Sequence, residues 1–201
     1  MFMRSSPFDK SYYTSGSYDD YLTRFRQEGW ENARALLARI NPLPQWRFLD
    51  VGAGMGGLTL ALRRMGFTAF GTEASAYCLS HSPAKAWLKY AKLPDLPYPP
   101  HSFEVVTCID VLCYLPQPKA EATVDQLTKL ARDYLYIESI YPGSPNSSQT
   151  SNPDPLRLDQ DLLYPDQLIE RLGFRQFAFV GPVFASEDEH DFNGLFQKSL
   201  G

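Results

Sequence analysis

The residues best equipped for chemistry in this sequence are a glycine-rich run, Asp50-Val51-Gly52-Ala53-Gly54-Met55-Gly56-Gly57, and a carboxylate downstream of it, Glu73. Apolar residues flank the run, with Phe48, Leu49 and Val51 on one side and Leu58, Leu62 and Met65 on the other. That pattern predicts a strand, a tight turn and a helix in succession. A ligand approaching such a turn meets backbone without side chains, free N–H groups and the positive end of a helix. Phe67 to Glu73 reads as the next strand, and a carboxylate at its carboxyl end can accept two hydroxyl protons from a ribose. The chemistry indicated is the holding of a ribose-bearing ligand, and it requires no metal.

Two ligands satisfy the glycines equally. Gly52, Gly54 and Gly57 fit the dinucleotide pattern GxGxxG, with Glu73 at the expected distance of about 20 residues. Gly52, Gly54 and Gly56 fit the acidic-x-Gly-x-Gly-x-Gly pattern of enzymes that bind S-adenosylmethionine. Other candidates are more dispersed. Asp110 and Glu138 fall at the ends of later expected strands, the edge where ligands bind in open α/β sheets. Tyr12, Tyr13, Tyr18 and Tyr21 crowd a polar N-terminal segment. His81, His101 and His190 are too scattered for a histidine-rich metal site, and the acidic run 187–191 around His190 would favour its protonated form.

The elements that must position these residues follow from periodicity. Trp30, Ala33, Leu36, Leu37 and Ile40 recur at helical spacing, marking one buried face of a helix from Asp20 that Pro42 and Pro44 stop. Strands are expected at 46–51, 67–73, 87–91, 103–109 and 134–137, with helices after the glycine turn, over 75–82 and from about Lys119. Strand and helix alternate, the signature of a parallel sheet covered on both faces. In the tail, a helix is expected from Pro165 through Leu172, then a strand pair at 174–180 and 192–199. Between the fifth strand and that helix, 142–155 holds no hydrophobic residue. A loop that long is usually a functional lid or disordered.

Composition narrows the classes further. The 201 residues are 44% hydrophobic and 21% charged, which predicts a soluble globular chain of one domain. No apolar window reaches the ~18 residues of a membrane span, and the N-terminus lacks a signal-peptide core. Net charge is −4, against a nucleic-acid binder that relies on many phosphate contacts. Cys78, Cys108 and Cys113 form neither a metal spacing nor a disulfide framework, which predicts a reducing cytoplasm. Of the 16 prolines, nine fall in 94–100 and 142–165.

Four consecutive stretches, "FLDVGAGMGGLTLALRRMGF", "GTEAS", "LPYPPHSFEVV" and "IDVLCYL", resemble the motifs of class I S-adenosylmethionine-dependent methyltransferases of the small-molecule type, from about Phe48 to Leu115. The resemblance implies an α/β, Rossmann-like methyltransferase fold: a seven-stranded, mostly parallel sheet with helices on both faces and an antiparallel last strand. It implies S-adenosyl-L-methionine as cofactor. Asp50, Gly52, Gly54 and Gly56 would bound its methionine half, Glu73 its ribose, Ala74 its adenine, and Asp110 its amino group and the transfer centre. Tyr12 or Tyr13 would close over it. The chain departs from the family in two places. Lys92 stands where many relatives carry an aspartate for the adenine, leaving that contact to Asp95 or to main chain. Cys113-Tyr114 replaces a common Glu-His.

The expected organisation is a single domain, 1–201. It comprises a lid segment and helix (1–45), a cofactor-binding core (46–138), a substrate loop (139–165) and a C-terminal helix and strand pair (166–201). The expected activity is methyl transfer to a small-molecule oxygen, nitrogen or carbon, with no nucleic-acid or membrane partner and no catalytic residue assigned. Two alternatives accompany it: a non-catalytic binding or regulatory protein of the same fold, motivated by Lys92 and Cys113-Tyr114, and an NAD(P)-dependent oxidoreductase.

Overall fold

In the computed structural model, the described residues are 7–14, 18, 20–141, 154, 156–158, 163–184 and 192–199. The loop 142–153, Pro155 and the acidic run with His190 lie outside them. Apolar residues alternate along the central strands and so supply two cores. Leu49 and Val51 of β1 (Arg47–Val51), Val106 and Cys108 of β4 (Phe103–Ile109) and Leu135 and Ile137 of β5 (Ala131–Ser139) point to one face. Phe48, Val105 and Tyr136, their chain neighbours, point to the other. This period of two is what a sheet buried on both sides requires. The first face is covered by α4 (Gln117–Leu130) and α5 (Pro165–Phe174), the second by α1 (Tyr21–Ile40) and α2 (Gly57–Arg64).

Adding β2 (Thr68–Glu73), β3 (Leu88–Tyr90), β6 (Phe177–Pro182) and β7 (Phe192–Lys198) gives one seven-stranded sheet of order β3-β2-β1-β4-β5-β7-β6. The first five strands pair in parallel, while β7 is antiparallel to both β5 and β6. Six strands therefore run one way and β7 the other, as expected. The register places Asp50 beside Gly71 and Thr107, and Ile109 beside Glu138, so the candidate carboxylates gather at one edge.

Several boundaries move. The buried face of α1 is Phe25, Gly29, Ala33, Leu36 and Ile40, and Trp30 is 37% exposed. Gly29 takes the inward position because α1 crosses α2 there: a Cβ on Gly29 would stand 2.1 Å from the Gly57 carbonyl carbon. The helix ends at Asn41, whose left-handed backbone (φ 45°) returns its N–H to the Leu37 carbonyl. α5 runs on to Phe174 and displaces β6 to 177–182, after Gln176 turns the chain at φ 64°. β5 begins at Ala131, directly after α4, and is longer than its apolar centre suggested. α3 (Ala76–His81) is capped by Ser75, whose hydroxyl accepts from the Cys78 N–H at 3.2 Å. Among the described residues no helix is long and apolar enough to cross a membrane.

Candidate active site

The carboxyl ends of β1, β2, β4 and β5 open into a cleft of about 1090 Å³, covered from the N-terminal side by Tyr12, Tyr13, Tyr18 and Tyr21. Ligands of open α/β sheets bind at this edge, where the parallel strands end and the crossover connections splay apart. Its floor is the glycine turn. Gly52, Gly54 and Gly56 all hold left-handed backbone, at φ 76°, 52° and 73°. At Gly52 a Cβ would also stand 2.2 Å from a Val111 methyl, and at Gly54 2.2 Å from the Tyr21 hydroxyl. Glycine is required by conformation and by space alike.

From Gly52 to Gly56 the turn's N–H groups are taken within the protein, where the sequence suggested free donors. Gly52 and Ala53 both donate to the Thr72 carbonyl at 2.9 Å, and Gly56 donates to Ala53 at 2.7 Å. Gly54 donates to Glu73 Oε2 at 2.7 Å and Met55 to the Tyr21 hydroxyl at 3.1 Å. The turn folds back against β2, so its N–H groups orient protein side chains that in turn face the cleft.

Glu73 is consequently built in. Besides Gly54, the Ala74 and Ser75 N–H groups donate to Oε1, each at 2.7 Å. An ionised carboxylate accepts about four hydrogen bonds, so about one position remains for a ribose hydroxyl, where the sequence suggested two. Burial pushes the Glu73 carboxyl above its ordinary value, opposed by the three N–H donors. Asp50 is more strongly displaced. Burial, with the nearby Glu73 charge adding to it, raises it to about 7, against a Thr107 hydroxyl that donates to Oδ1 at 2.9 Å.

Asp110 sits past the end of β4 with φ 52°, its N–H held by the Glu138 carbonyl at 2.9 Å, and both residues line the cleft. The Tyr136 hydroxyl donates to the Glu138 carboxylate. Tyr13 is buried, stacks on Tyr77 at 6.0 Å and also lines the cleft, as does Ala74. Burial, reinforced by the Glu73 charge, pushes the Tyr13 hydroxyl up.

Two expected residues are not brought to the cleft. Gly56 faces away from it, where a Cβ would stand 2.7 Å from that of Ala84. Asp95 is exposed, in a tight turn whose N–H bonds the Lys92 carbonyl at 2.8 Å. Ala91, Lys92 and Leu93 line the wall there instead, because the turn at Pro94 carries Asp95 outward. His81 and His101 are both exposed, and His101 occupies a turn at φ 54°.

One group had no sequence signal. Asp154, in the long polar loop, is buried with its side chain 1% exposed. Its Oδ2 accepts from Tyr12 and from Tyr114, each at 2.7 Å, and the Tyr18 and Tyr114 hydroxyls lie 2.6 Å apart. Arg157 approaches the same carboxylate oxygen at 3.9 Å. Nothing in its local sequence separates Asp154 from the other polar residues around it.

The strand order with a reversed β7, joined to a carboxylate-terminated β2 beside a glycine turn, defines the fold of class I S-adenosylmethionine-dependent methyltransferases. It differs from the all-parallel 3-2-1-4-5-6 sheet of dinucleotide enzymes. A family described as "Methyltransferase domain" matches residues 20–198, and the chain belongs to it. That membership resolves the choice the glycines left open, against the oxidoreductase. Magnesium-protoporphyrin O-methyltransferase of Synechocystis sp. is 29% identical over 55% of this chain and 51% of its own length. The chloroplastic magnesium protoporphyrin IX methyltransferase of Arabidopsis thaliana is 31% identical over 53% of this chain and 36% of its own. The match thus spans about half or less of these curated relatives. The crystal structure of magnesium protoporphyrin IX methyltransferase from Synechocystis PCC 6803 with bound SAH superposes with TM-score 0.69 at 19% identity, covering 94% of this chain and 91% of that one.

Proposed function

We propose that this chain binds S-adenosylmethionine in the cleft and transfers its methyl group to an oxygen, nitrogen or carbon of a small molecule. The observation that carries the reading is Glu73, fixed by three backbone N–H groups at the cleft wall beside a turn that admits no side chain. Its remaining acceptor position suits a ribose hydroxyl, and Asp50, half-ionised near neutrality, suits a cationic group. When bound, the cofactor supplies a methyl on an already activated sulfonium. What the chain must then do is hold the acceptor in line and keep water out, which can account for much of the rate. The tyrosine cover and the walls at Asp110 and Glu138 are placed to do so.

The chain is read as one domain, working in the cytoplasm on a small molecule and not on nucleic acid. Titration calorimetry with S-adenosylmethionine and S-adenosylhomocysteine tests the reading. Both ligands are expected to bind, with Glu73→Ala weakening both; absence of binding to the wild-type chain would sink it.

A further inference from the structure

Tyr12, Tyr18, Tyr114 and Asp154 come from three separate parts of the chain and converge on one carboxylate oxygen. Their protons can be counted. A phenol has one proton to give. Tyr114 gives its proton to Asp154 Oδ2 at 2.7 Å, so in the 2.6 Å contact between Tyr18 and Tyr114 the donor is Tyr18. Tyr12 also gives its proton to Asp154, at 2.7 Å, and lies 2.8 Å from the Tyr114 oxygen. The result is a directed chain, Tyr18 to Tyr114 to Asp154, with Tyr12 bracing its far end.

Its two ends stand in different surroundings. Tyr18 and Tyr114 line the cleft, whereas Asp154 lies behind them and is not part of the lining. A carboxylate screened from the cleft by a phenol cannot touch a substrate directly, and the phenol joins them.

We propose that this chain of hydroxyls carries away the proton of the methyl acceptor, and that the acceptor is therefore a hydroxyl compound. The proposal rests on the methyltransferase reading. As the acceptor oxygen attacks the methyl carbon and the carbon–sulfur bond breaks, the acceptor proton passes to Tyr18. The Tyr18 proton passes to Tyr114, and the Tyr114 proton to Asp154. The sulfonium charge and the carboxylate charge disappear together, leaving methylated product, S-adenosylhomocysteine and a neutral Asp154 that reloads by losing its proton to water. Tyr18 is the catalytic residue, touching the acceptor; Tyr114 and Asp154 are positioning residues that act through it. A carboxylate acceptor would arrive already ionised and would have no use for the chain.

The groups facing this network are Tyr12 and Tyr18 from the N-terminal segment, Asp110 and Cys113 from the turn after β4, and Arg157, which lines the cleft beside Tyr114 and Tyr18. Burial keeps Tyr12 and Tyr114 well above their ordinary values, so both stay protonated and serve as carriers rather than as bases.

The test supplies S-adenosylmethionine with a tritiated methyl group and two probe panels, simple phenols and matched benzoates. It compares the wild-type chain with Tyr18→Phe, Tyr114→Phe and Asp154→Asn. Label is expected in the phenols as alkali-stable ethers. Each variant should lower kcat near neutral pH by about a hundredfold, the lower end for general acid–base catalysis. Their S-adenosylhomocysteine affinity should stay near the wild-type value, and kcat should partly recover at alkaline pH, where the phenol ionises unaided. Three results would overturn the relay: label confined to alkali-labile benzoate esters, variants with unchanged kcat, or no label from a chain that binds S-adenosylhomocysteine. Failure of the wild-type chain to bind S-adenosylhomocysteine would instead remove the methyltransferase reading beneath it.

Discussion

Cofactor affinity should depend on pH through Asp50. This carboxyl is 6% exposed, lies beside the Glu73 charge and titrates at about 7 in the ligand-free fold. The homocysteine amino group brings a cation, and a neutral carboxylic acid gives it little to bind. With a pKa of about 7, roughly one chain in eleven is ionised at pH 6 and roughly ten in eleven at pH 8, so affinity should rise about tenfold, or about 1.4 kcal/mol, between them. Binding near pH 7 should release about half a proton, countable by calorimetry in two buffers of different ionisation heat. Asp50→Asn should flatten the profile at its acidic limit. Thr107→Val, by removing the 2.9 Å hydrogen bond that favours the ionised form, should push the midpoint higher. The same group acts on the unliganded chain with the opposite sense. Its folded pKa exceeds the unfolded 3.8, so the native state holds the extra proton between the two values. That contribution to stability is complete at acid pH and is lost as pH rises through about 7. A flat affinity from pH 6 to 8 with no proton release would refute the reasoning.

Gly29→Ala should destabilise the fold by about 1–3 kcal/mol or more, since the new methyl meets backbone of α2 that cannot swing aside. Thermal unfolding should show it at about 2–4 °C per kcal/mol, and an unchanged Tm would mean the helices do not cross there. Glu73→Gln turns an NH₂ group toward N–H donors whichever way the amide lies. A loss of about 1–3 kcal/mol in urea unfolding is expected, and wild-type stability would show that the three donors do not matter. Glu104 is half-buried, which raises its pKa, but the Arg47 N–H at 2.7 Å, its own N–H and the Arg47 guanidinium bring it below 4.5 overall, with Arg132 at 3.1 Å as a second ion-pair partner. Glu104→Gln should therefore cost about 1 kcal/mol at neutral pH, with the gap to wild type closing as pH falls below 4.5; a gap independent of pH would exclude the ionic account.

The sequence alone determined the features that depend on near neighbours. Glycine at 52 and 54 marks a turn because left-handed backbone excludes a Cβ, a matter of a few adjacent atoms. Alternating Leu49 and Val51 against Phe48, and the helical spacing of Ala33, Leu36 and Ile40, disclose strand and helix because hydrogen-bond geometry fixes their periods. The seven strands, the reversed last one and the expected role of Glu73 followed once the family motifs had been matched in sequence.

Tertiary structure alone decided the contacts between distant parts. The N–H groups of Gly52 to Met55 looked available until β2 and Tyr21 were seen to take them. Trp30 looked buried and Gly29 did not, because hydrophobicity predicts burial only where no second backbone must pass close by. Asp95 and Asp154 are both aspartates beside prolines, yet one faces water and the other anchors Tyr12 across 142 residues. A local window holds no information about which segment will cover a side chain. That is settled only when the whole chain packs, and here it places a buried carboxylate at the end of a row of phenols.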